Sequence, residues 1–265
     1  MYDFQYAKLT SVADTVTRRT SDDEASYLAG GMTLIPTLKQ RLARPSALLD
    51  LSGIADLKGI SVANGVLTIG AMTCHADVAA SADVRAHIPA LASLAVSIGD
   101  PQVRNRGTIG GSIANNDPSA DYPAAVVGLN ATVHTNARAI AADDFFKGLF
   151  ETALTPGELI VKISFPIPKR AAYAKFPNPA SRYAVVGVMV AETLNGIRVA
   201  VTGAGACAFR VGDMEAALAK SFSADAIKSI AVPADDLNTD MHATAEYRAH
   251  LVGVMARRAV ASLAG

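Results

Sequence analysis

The residues with the clearest chemical potential lie in one stretch, residues 99–123. This stretch contains the glycines Gly107, Gly110 and Gly111, together with two arginines, three asparagines and three aspartates. Glycines let a backbone approach a ligand closely, and the polar side chains supply hydrogen-bond donors and acceptors. Such a run is too polar for a core strand and too long for an ordinary turn. The stretch therefore predicts a binding loop.

A second glycine motif, Gly30-Gly31, lies between a short apolar strand at 27–29 and a helix predicted over 34–42. Backbone N–H groups at the start of a helix carry partial positive charge, and Thr33 is the predicted N-cap. The motif is therefore a candidate phosphate-binding loop. It is neither the GxGxxG of dinucleotide-binding folds nor a Walker loop, and a plain turn is the alternative interpretation.

The sequence contains no recognised catalytic arrangement. The five histidines are scattered without HExxH spacing, and no Gly-x-Ser-x-Gly motif occurs. Cys74 and Cys207 lie far apart and cannot by themselves ligate structural zinc or an iron–sulfur cluster. Neither a metal site nor a catalytic residue is predicted. Two glycine-rich loops without such groups are typical of a protein that holds a cofactor with its own reactivity.

Composition argues against several other functional classes. The 265 residues carry 24 basic and 24 acidic side chains, and this formal charge of zero argues against a nucleic-acid partner. No apolar run approaches the roughly 18 residues that a membrane-spanning helix needs. The sparse cysteines and the lack of a secretory signal pattern at the N-terminus predict a cytoplasmic protein.

The spacing of apolar residues predicts the elements that position these loops. Residues 11–51 follow a β-α-β pattern, and Asn64-Gly65 joins two alternating runs as a hairpin. Apolar residues spaced three and four apart predict one helix over 83–98, which leads directly into the polar stretch. The C-terminal strands are predicted over 183–191 and 196–202, and the C-terminal helices over 213–219 and 245–263.

At the two glycine loops the sequence resembles a known family. The resemblance is carried by Ala29-Gly-Gly-Met-Thr-Leu-Ile-Pro36 with Lys39, by Arg104-Asn-Arg-Gly-Thr-Ile-Gly-Gly-Ser112 and by Asp117-Pro-Ser-Ala-Asp121. These segments are similar to the FAD-binding medium subunit of the molybdenum hydroxylases, the relatives of aerobic carbon monoxide dehydrogenase and xanthine dehydrogenase. Matches in kind and order extend over nearly the whole chain, as far as the 245–251 segment.

The resemblance implies a fold and a division of the chain. The implied fold is of the α+β (α/β) class. It has a two-part FAD-binding domain of the vanillyl-alcohol-oxidase/PCMH type, followed by a C-terminal α+β domain with a small antiparallel sheet and helices. The implied units are FAD-binding subdomain 1 at 1–53, FAD-binding subdomain 2 at 54–170 and a C-terminal flavoprotein domain at 171–265.

The resemblance also implies that both loops bind FAD. In the family both hold the FAD pyrophosphate through backbone N–H groups, with hydroxyl contacts expected from Thr33, Thr108 and Ser112. The implied loop residues are Leu28, Ala29, Gly30, Gly31, Met32, Thr33, Leu34, Ile35, Thr108, Gly110, Gly111 and Ser112. A Gly110→Val or Gly111→Val change is then expected to reduce FAD occupancy and to leave the fold largely intact.

Five further residues are implied to contact the cofactor. Asn115 and Asp121 would reach phosphate, sugar or ribityl hydroxyls, Ile98 and Ile160 would sandwich the adenine, and Lys175 would place a positive charge by the flavin. Each has a structural alternative: the isoleucines as core residues, Asp121 as a helix cap and Lys175 as a solvated side chain.

Three features of the sequence bear on how the implied site binds its cofactor and partners. Arg104 and Arg106 either pair with Asp100 and Asp117 or contact phosphate directly. Met32 replaces a histidine that many relatives carry, and the segment 176–182 replaces a more basic one. Because the loop contact at position 32 is mainly through the backbone, FAD binding is expected to survive the Met32 replacement.

The implied function is electron transfer within a larger enzyme. A large molybdopterin subunit would oxidise the substrate, a small subunit would relay electrons through two 2Fe–2S clusters, and FAD in this chain would pass them to an external acceptor. The implied assembly is a dimer of heterotrimers. The alternatives are a self-contained flavin oxidoreductase of the same fold and a cofactor-free structural subunit, and the substrate and the acceptor are left open.

Overall fold

A computed structural model describes residues 1–263 of the chain. The N-terminal part is a three-stranded parallel sheet in the order β1-β3-β2, crossed by two helices. Its elements are β1 (Gln5–Lys8), α1 (Val12–Ser21), β2 (Ser26–Leu28), α2 (Leu34–Lys39) and β3 (Ala47–Asp50). Ser11 caps α1 by accepting a hydrogen bond from the Asp14 N–H. The predicted β-α-β pattern is confirmed.

The second sheet has five antiparallel strands in the order β4-β5-β10-β6-β7. The strands are β4 (Ile60–Ala63), β5 (Val66–Gly70), β6 (Thr132–Thr135), β7 (Ala139–Ala141) and β10 (Ile160–Pro166). Asn64 and Gly65 join β4 to β5 with φ angles of 51° and 74°, as a two-residue turn of this kind requires. The predicted hairpin is confirmed. Two single 3₁₀ turns, Leu51–Gly53 and Ala55–Leu57, connect the first sheet to the second.

Six short helices connect β5 to β6 along the chain. They are α3 (His75–Ala80), α4 (Ala82–His87), α5 (Pro89–Val96), α6 (Pro101–Arg104), α7 (Ile109–Asn115) and α8 (Tyr122–Gly128). The prediction of one helix over 83–98 is wrong, because Pro89 has no N–H to continue α4 and instead opens α5. Ile98 therefore lies two residues beyond the end of a helix.

The stretch 99–123 is likewise not one continuous loop. Asp100 caps α6 through the Val103 N–H, and Thr108 caps α7 through the Gly111 N–H. Asn116, at φ 44°, ends α7, and its amide donates to the carbonyl oxygens of Gly148 and Glu151, both at 2.8 Å. These bonds fix a small hairpin to α7. The hairpin and its preceding helix are α9 (Ala142–Phe145), β8 (Phe146–Gly148) and β9 (Glu151–Thr152).

The C-terminal part is a four-stranded antiparallel meander with helices on one face. Its elements are β11 (Arg170–Pro177), β12 (Ala184–Thr193), β13 (Gly196–Thr202), β14 (Phe209–Arg210), α10 (Gly212–Lys220), a 3₁₀ turn at Asp225–Ile227 and α11 (Ala245–Ala261). α11 packs against β11 and β12, while α8 covers the other face of the sheet. β12 is apolar almost throughout because both of its faces are buried.

The three sheets follow one another along the chain and are compatible with the predicted units, whose boundaries we keep as a proposal. The residues before and after position 170 nevertheless pack closely against each other. A Cβ on Gly128 would lie 2.6 Å from Met189 Cγ, and Arg198 bonds to Asn130 and Asp143. Among residues 1–263 no helix has both the length and the apolar character needed to cross a membrane.

Candidate functional site

A cavity of about 540 Å³ lies where the two glycine loops meet, a size in the usual range for cofactor sites. Most of the predicted FAD residues line it, whereas Leu28, Ile35 and Lys175 do not. The predicted residues in its wall are Ala29, Gly30, Gly31, Met32, Thr33, Leu34, Ile98, Thr108, Gly110, Gly111, Ser112, Asn115, Asp121 and Ile160. The structure thus brings together residues far apart in the sequence.

The first loop offers backbone donors to this cavity. Within residues 1–263, the N–H groups of the five consecutive residues Gly30–Leu34 have no hydrogen-bond acceptor. Thr33 is the N-cap residue of α2, as predicted, but its side chain makes no cap bond, so its hydroxyl is available to a ligand. An unsatisfied row of N–H groups that lines a cavity suits an anion such as a phosphate. The first loop therefore fits the pyrophosphate of FAD.

The second loop is different, because the N–H groups of residues 109–112 are already satisfied within the protein. The Ile109 N–H donates to Thr73 O at 3.1 Å, and the Gly110 N–H donates to Ala71 O at 2.9 Å. Thr108 accepts the next two, Gly111 N–H through its hydroxyl and Ser112 N–H through its carbonyl. The expectation that both loops present backbone donors is therefore wrong for α7. This wall offers hydroxyl groups and the amide of Asn115 instead.

The glycines of the second loop are explained by packing against the protein itself. A Cβ on Gly110 would lie 2.6 Å from Ala71 Cβ and 2.7 Å from Ala71 O, and one on Gly111 would lie 2.9 Å from Thr108 Oγ1. Because the Ala71 backbone cannot yield like a flexible side chain, a larger residue at position 110 must displace α7 or β5. The expectation that Gly110→Val leaves the fold largely intact is accordingly wrong.

Asp121 forms a buried ion pair at the cavity wall. Its Oδ2 accepts a hydrogen bond from Lys175 Nζ at 2.9 Å and its Oδ1 accepts one from the Tyr173 hydroxyl at 2.5 Å. The side chains of Asp121 and Lys175 are 4% and 7% exposed. Burial raises the pKa of Asp121, while Lys175 and Tyr173 oppose that rise. Asp121 makes no side-chain cap bond to α8, and it lines the cavity.

Lys175 lies behind Asp121 and does not itself line the cavity, and the placement of its charge by a bound flavin stays a prediction. The basic groups here converge on the backbone after α5. Lys175 Nζ donates to Ser97 O, Arg104 donates to Ile98 O and Gly99 O, and Arg182 donates to Gly99 O. Cations suit the negative end of a helix dipole. Of these basic side chains only Arg182 lines the cavity.

Neither arginine of the second loop is ion-paired in the part of the chain that the structure describes. Asp100 accepts the Val103 N–H, and Asp117 accepts the Ser119 N–H. The predicted pairing of these aspartates with Arg104 and Arg106 is therefore wrong. The carbonyls that accept from Arg104 were not visible as partners in the sequence, because backbone groups carry no side-chain signature.

Several cavity residues were not predicted from the sequence. His75 is buried against Tyr122, with ring centroids 5.3 Å apart, and burial followed by the charge of Arg104 lowers its pKa to about 4. It is therefore neutral at physiological pH. The other unpredicted residues include Arg19, Tyr27, Met72, Val103, Asp117, Leu154, Glu158, Arg182 and Tyr183. They are spread between positions 19 and 183, and of those named here Val103 and Asp117 lie within the predicted stretch 99–123. The described residues contain no cluster of metal-ligating side chains.

Glu158 is held in the wall by a dense set of donors. It accepts from Arg138 Nε at 2.9 Å, from the Thr135 hydroxyl at 2.7 Å and from the Thr155 N–H at 2.8 Å. The Arg138 bond is the main reason that the pKa of Glu158 falls from 4.5 to about 2, against the opposing effect of burial. The group is thus a structural carboxylate and remains ionised in neutral solution.

A Glu158→Gln variant should reveal this contribution through its acid sensitivity. A lowered pKa in the folded chain gives stability that is present above about pH 4.5 and lost as pH falls toward about 2. We expect the variant to be less stable by up to about 3 kcal/mol at neutral pH, with a smaller difference at low pH. Urea unfolding at several pH values measures this, and a difference that is constant with pH would contradict the assignment.

Comparison with known proteins gives one consistent result. Residues 2–168 match the family described as the FAD binding domain in molybdopterin dehydrogenase. The chain is 36% identical to the carbon monoxide dehydrogenase medium chain of Hydrogenophaga pseudoflava, over 97% of this chain and 96% of that one. It is 32% identical to the nicotine 6-hydroxylase medium subunit of Paenarthrobacter nicotinovorans, over 97% and 95%.

The fold gives the same result. The solved structure of reconstituted carbon monoxide dehydrogenase from Oligotropha carboxidovorans superposes on this chain with a TM-score of 0.90. The two are 33% identical, and the match covers 98% of this chain and 97% of the other.

Proposed function

The chain belongs to the family of FAD-binding subunits of molybdenum hydroxylases, and from this premise we propose that it relays electrons from an iron–sulfur partner subunit to an external acceptor. It is an oxidoreductase subunit that carries FAD. The observation that supports the relay role is the cavity between the two loops. It offers five free N–H groups to a pyrophosphate and no free acid–base pair to a substrate.

The carboxylates of the wall are already occupied by protein partners. Glu158 is paired with Arg138, Asp121 with Lys175, and Asp117 holds a backbone N–H. His75 is buried and neutral. General acid–base catalysis needs a group that can gain and lose a proton near the working pH. The wall therefore suits a cofactor that exchanges electrons more than an independent substrate site.

The residues that would hold FAD follow from their positions. The Gly30–Leu34 backbone would bind the pyrophosphate. Asn115 would donate to or accept from hydroxyl groups, Asp121 would accept from them, and Ile98 and Ile160 would pack against the adenine ring. Bound FAD accepts and releases electrons at its isoalloxazine ring. The proposed partners are a large molybdopterin subunit and a small subunit with two 2Fe–2S clusters, in a dimer of heterotrimers. The cytoplasm is the proposed compartment.

Isolation of the intact complex through a tag on this chain tests the proposal. We expect two partner chains, molybdenum, iron and one FAD per copy of this chain. Removal of FAD should abolish electron delivery to the acceptor, while the clusters remain reducible by dithionite, as followed by their electron paramagnetic resonance signals. Oxidation of a substrate by this chain alone, or undiminished acceptor reduction without FAD, would overturn the relay role.

A further inference from the structure

One hydrogen bond at the cavity wall has no role in the function described so far. It joins the Tyr173 hydroxyl, on β11, to Asp121 Oδ1 at 2.5 Å. Tyr173 itself does not line the cavity, whereas Asp121 does. The phenol therefore acts on anything in the cavity only through the carboxylate, as a positioning residue would.

We propose that Tyr173 is a positioning residue that keeps the Asp121 carboxylate ionised and oriented toward the cavity, where it accepts hydrogen bonds from hydroxyl groups of the bound cofactor. This inference rests on the proposed FAD site. It assigns a second layer to that site: Tyr173 and Lys175 each hold one oxygen of Asp121, and Asp121 itself lines the cavity.

The first argument is geometric. A carboxylate with one fixed oxygen can still turn about its last bond, whereas donors on both oxygens fix its plane. Lys175 Nζ holds Oδ2 at 2.9 Å and Tyr173 holds Oδ1 at 2.5 Å. Both donors come from β11 at positions two residues apart, so their side chains lie on the same face of the sheet. The two bonds together fix the orientation of the acceptor.

The absence of a side chain at Gly187 leaves room for the Tyr173 phenol. A Cβ on Gly187, in the neighbouring strand β12, would overlap the Tyr173 hydroxyl oxygen and would lie 2.8 Å from Tyr173 Cζ. Gly187 has an ordinary extended backbone, so no turn requires a glycine there. A glycine in the interior of a buried strand weakens that strand. Here the glycine leaves the room that the Tyr173 phenol needs to reach Asp121.

The third argument is electrostatic. Asp121 is buried, and burial disfavours its charged form, whereas hydrogen bonds from Lys175 and Tyr173 favour it. The other ionisable groups around it give no direct hydrogen bond. They are Tyr122 beside it with His75 packed on that ring, Asp117 and Tyr183 in the wall, and Arg182 at the rim. Among residues 1–263, loss of the phenol therefore removes one of the two groups that hold the charge by hydrogen bonding.

The test compares FAD affinity across a range of pH in the full chain. In Tyr173→Phe we expect the pH dependence of FAD binding to move to higher pH by about 1 unit, because Asp121 loses a donor to its charged form. Gly187→Ala should move the pH dependence of FAD binding in the same direction, and Asp121→Asn should abolish this pH dependence. A matched control is Tyr6→Phe, which removes a phenol bonded to Asp50 at 2.5 Å outside the cavity.

The outcomes separate this inference from the proposed function. A Tyr173→Phe profile that superposes on wild type, or an affinity reduced by one factor at every pH, would overturn the positioning role. If wild type does not bind FAD, the proposed function fails. The inference is then still decided in the cofactor-free chain by carbon-13 NMR titration of the Asp121 carboxyl. There Tyr173→Phe must raise the midpoint, and an unchanged midpoint refutes it.

Discussion

Gly30→Ala should abolish FAD binding and destabilise the chain by about 3 kcal/mol. A Cβ at this position would meet the Arg106 carbonyl oxygen far inside contact distance, and would lie 2.7 Å from the carbonyl carbon. Both partners are backbone, so neither can move as a flexible side chain does. The methyl group would push apart the two loops that form the cavity. FAD content after gel filtration and urea unfolding measure the two effects.

The matched control for this change is Gly212→Ala. Gly212 opens α10 and has no positive φ, and a Cβ added to it would meet no heavy atom within 4 Å. Alanine is a better helix former than glycine, so we expect a stability equal to wild type or slightly higher, with FAD retained. Retention of stoichiometric FAD by Gly30→Ala would show that close contact between the loops is not required.

Lys175→Met should destabilise the chain by about 3–5 kcal/mol, since it leaves the buried Asp121 carboxylate without its cation. The pKa of that carboxyl then rises further in the folded chain. A raised pKa means that the folded chain binds more protons than the unfolded chain, so the variant should lose stability as pH rises from about 4. Urea unfolding at about pH 5 and pH 8 shows this trend.

Two further variants complete this experiment. Adding Asp121→Asn to Lys175→Met removes the stranded charge and should recover much of the stability, though not the affinity for FAD. Arg18→Met breaks the exposed pair with Asp14 and should change stability by less than about 0.5 kcal/mol. Equal losses for Lys175→Met and Arg18→Met would contradict the buried ion pair.

The elements that the sequence predicted correctly are those whose signals are local. Ser11 capped α1 and Asn64-Gly65 formed the hairpin, since capping and turn chemistry depend on neighbouring residues. The single helix over 83–98 failed for a local reason as well: the apolar spacing continues through Pro89, but the backbone hydrogen bonding does not. Apolar periodicity reports which face is buried and says less about where a helix ends.

The sequence predicted many residues of the cavity wall, but fewer of the contacts and hydrogen bonds that they make. The glycine loops marked the cavity, yet the function of each glycine depends on a contact distant in sequence, such as Gly30 with Arg106 or Gly110 with Ala71. Tyr173 carried no signal at all, because its partner Asp121 lies 52 positions earlier. Such pairings follow from how strands and helices meet, which no local motif encodes.

The satisfied backbone of α7 has a consequence for the energetics of cofactor entry. Because Ala71, Thr73 and Thr108 already bind its first N–H groups, this wall has its final hydrogen bonding before any ligand arrives. Little conformational entropy remains to be lost there on association. The open backbone donors of the cavity lie instead on the five N–H groups of Gly30–Leu34. New backbone hydrogen bonds to a cofactor are therefore expected on that side, while α7 keeps the bonds it already has.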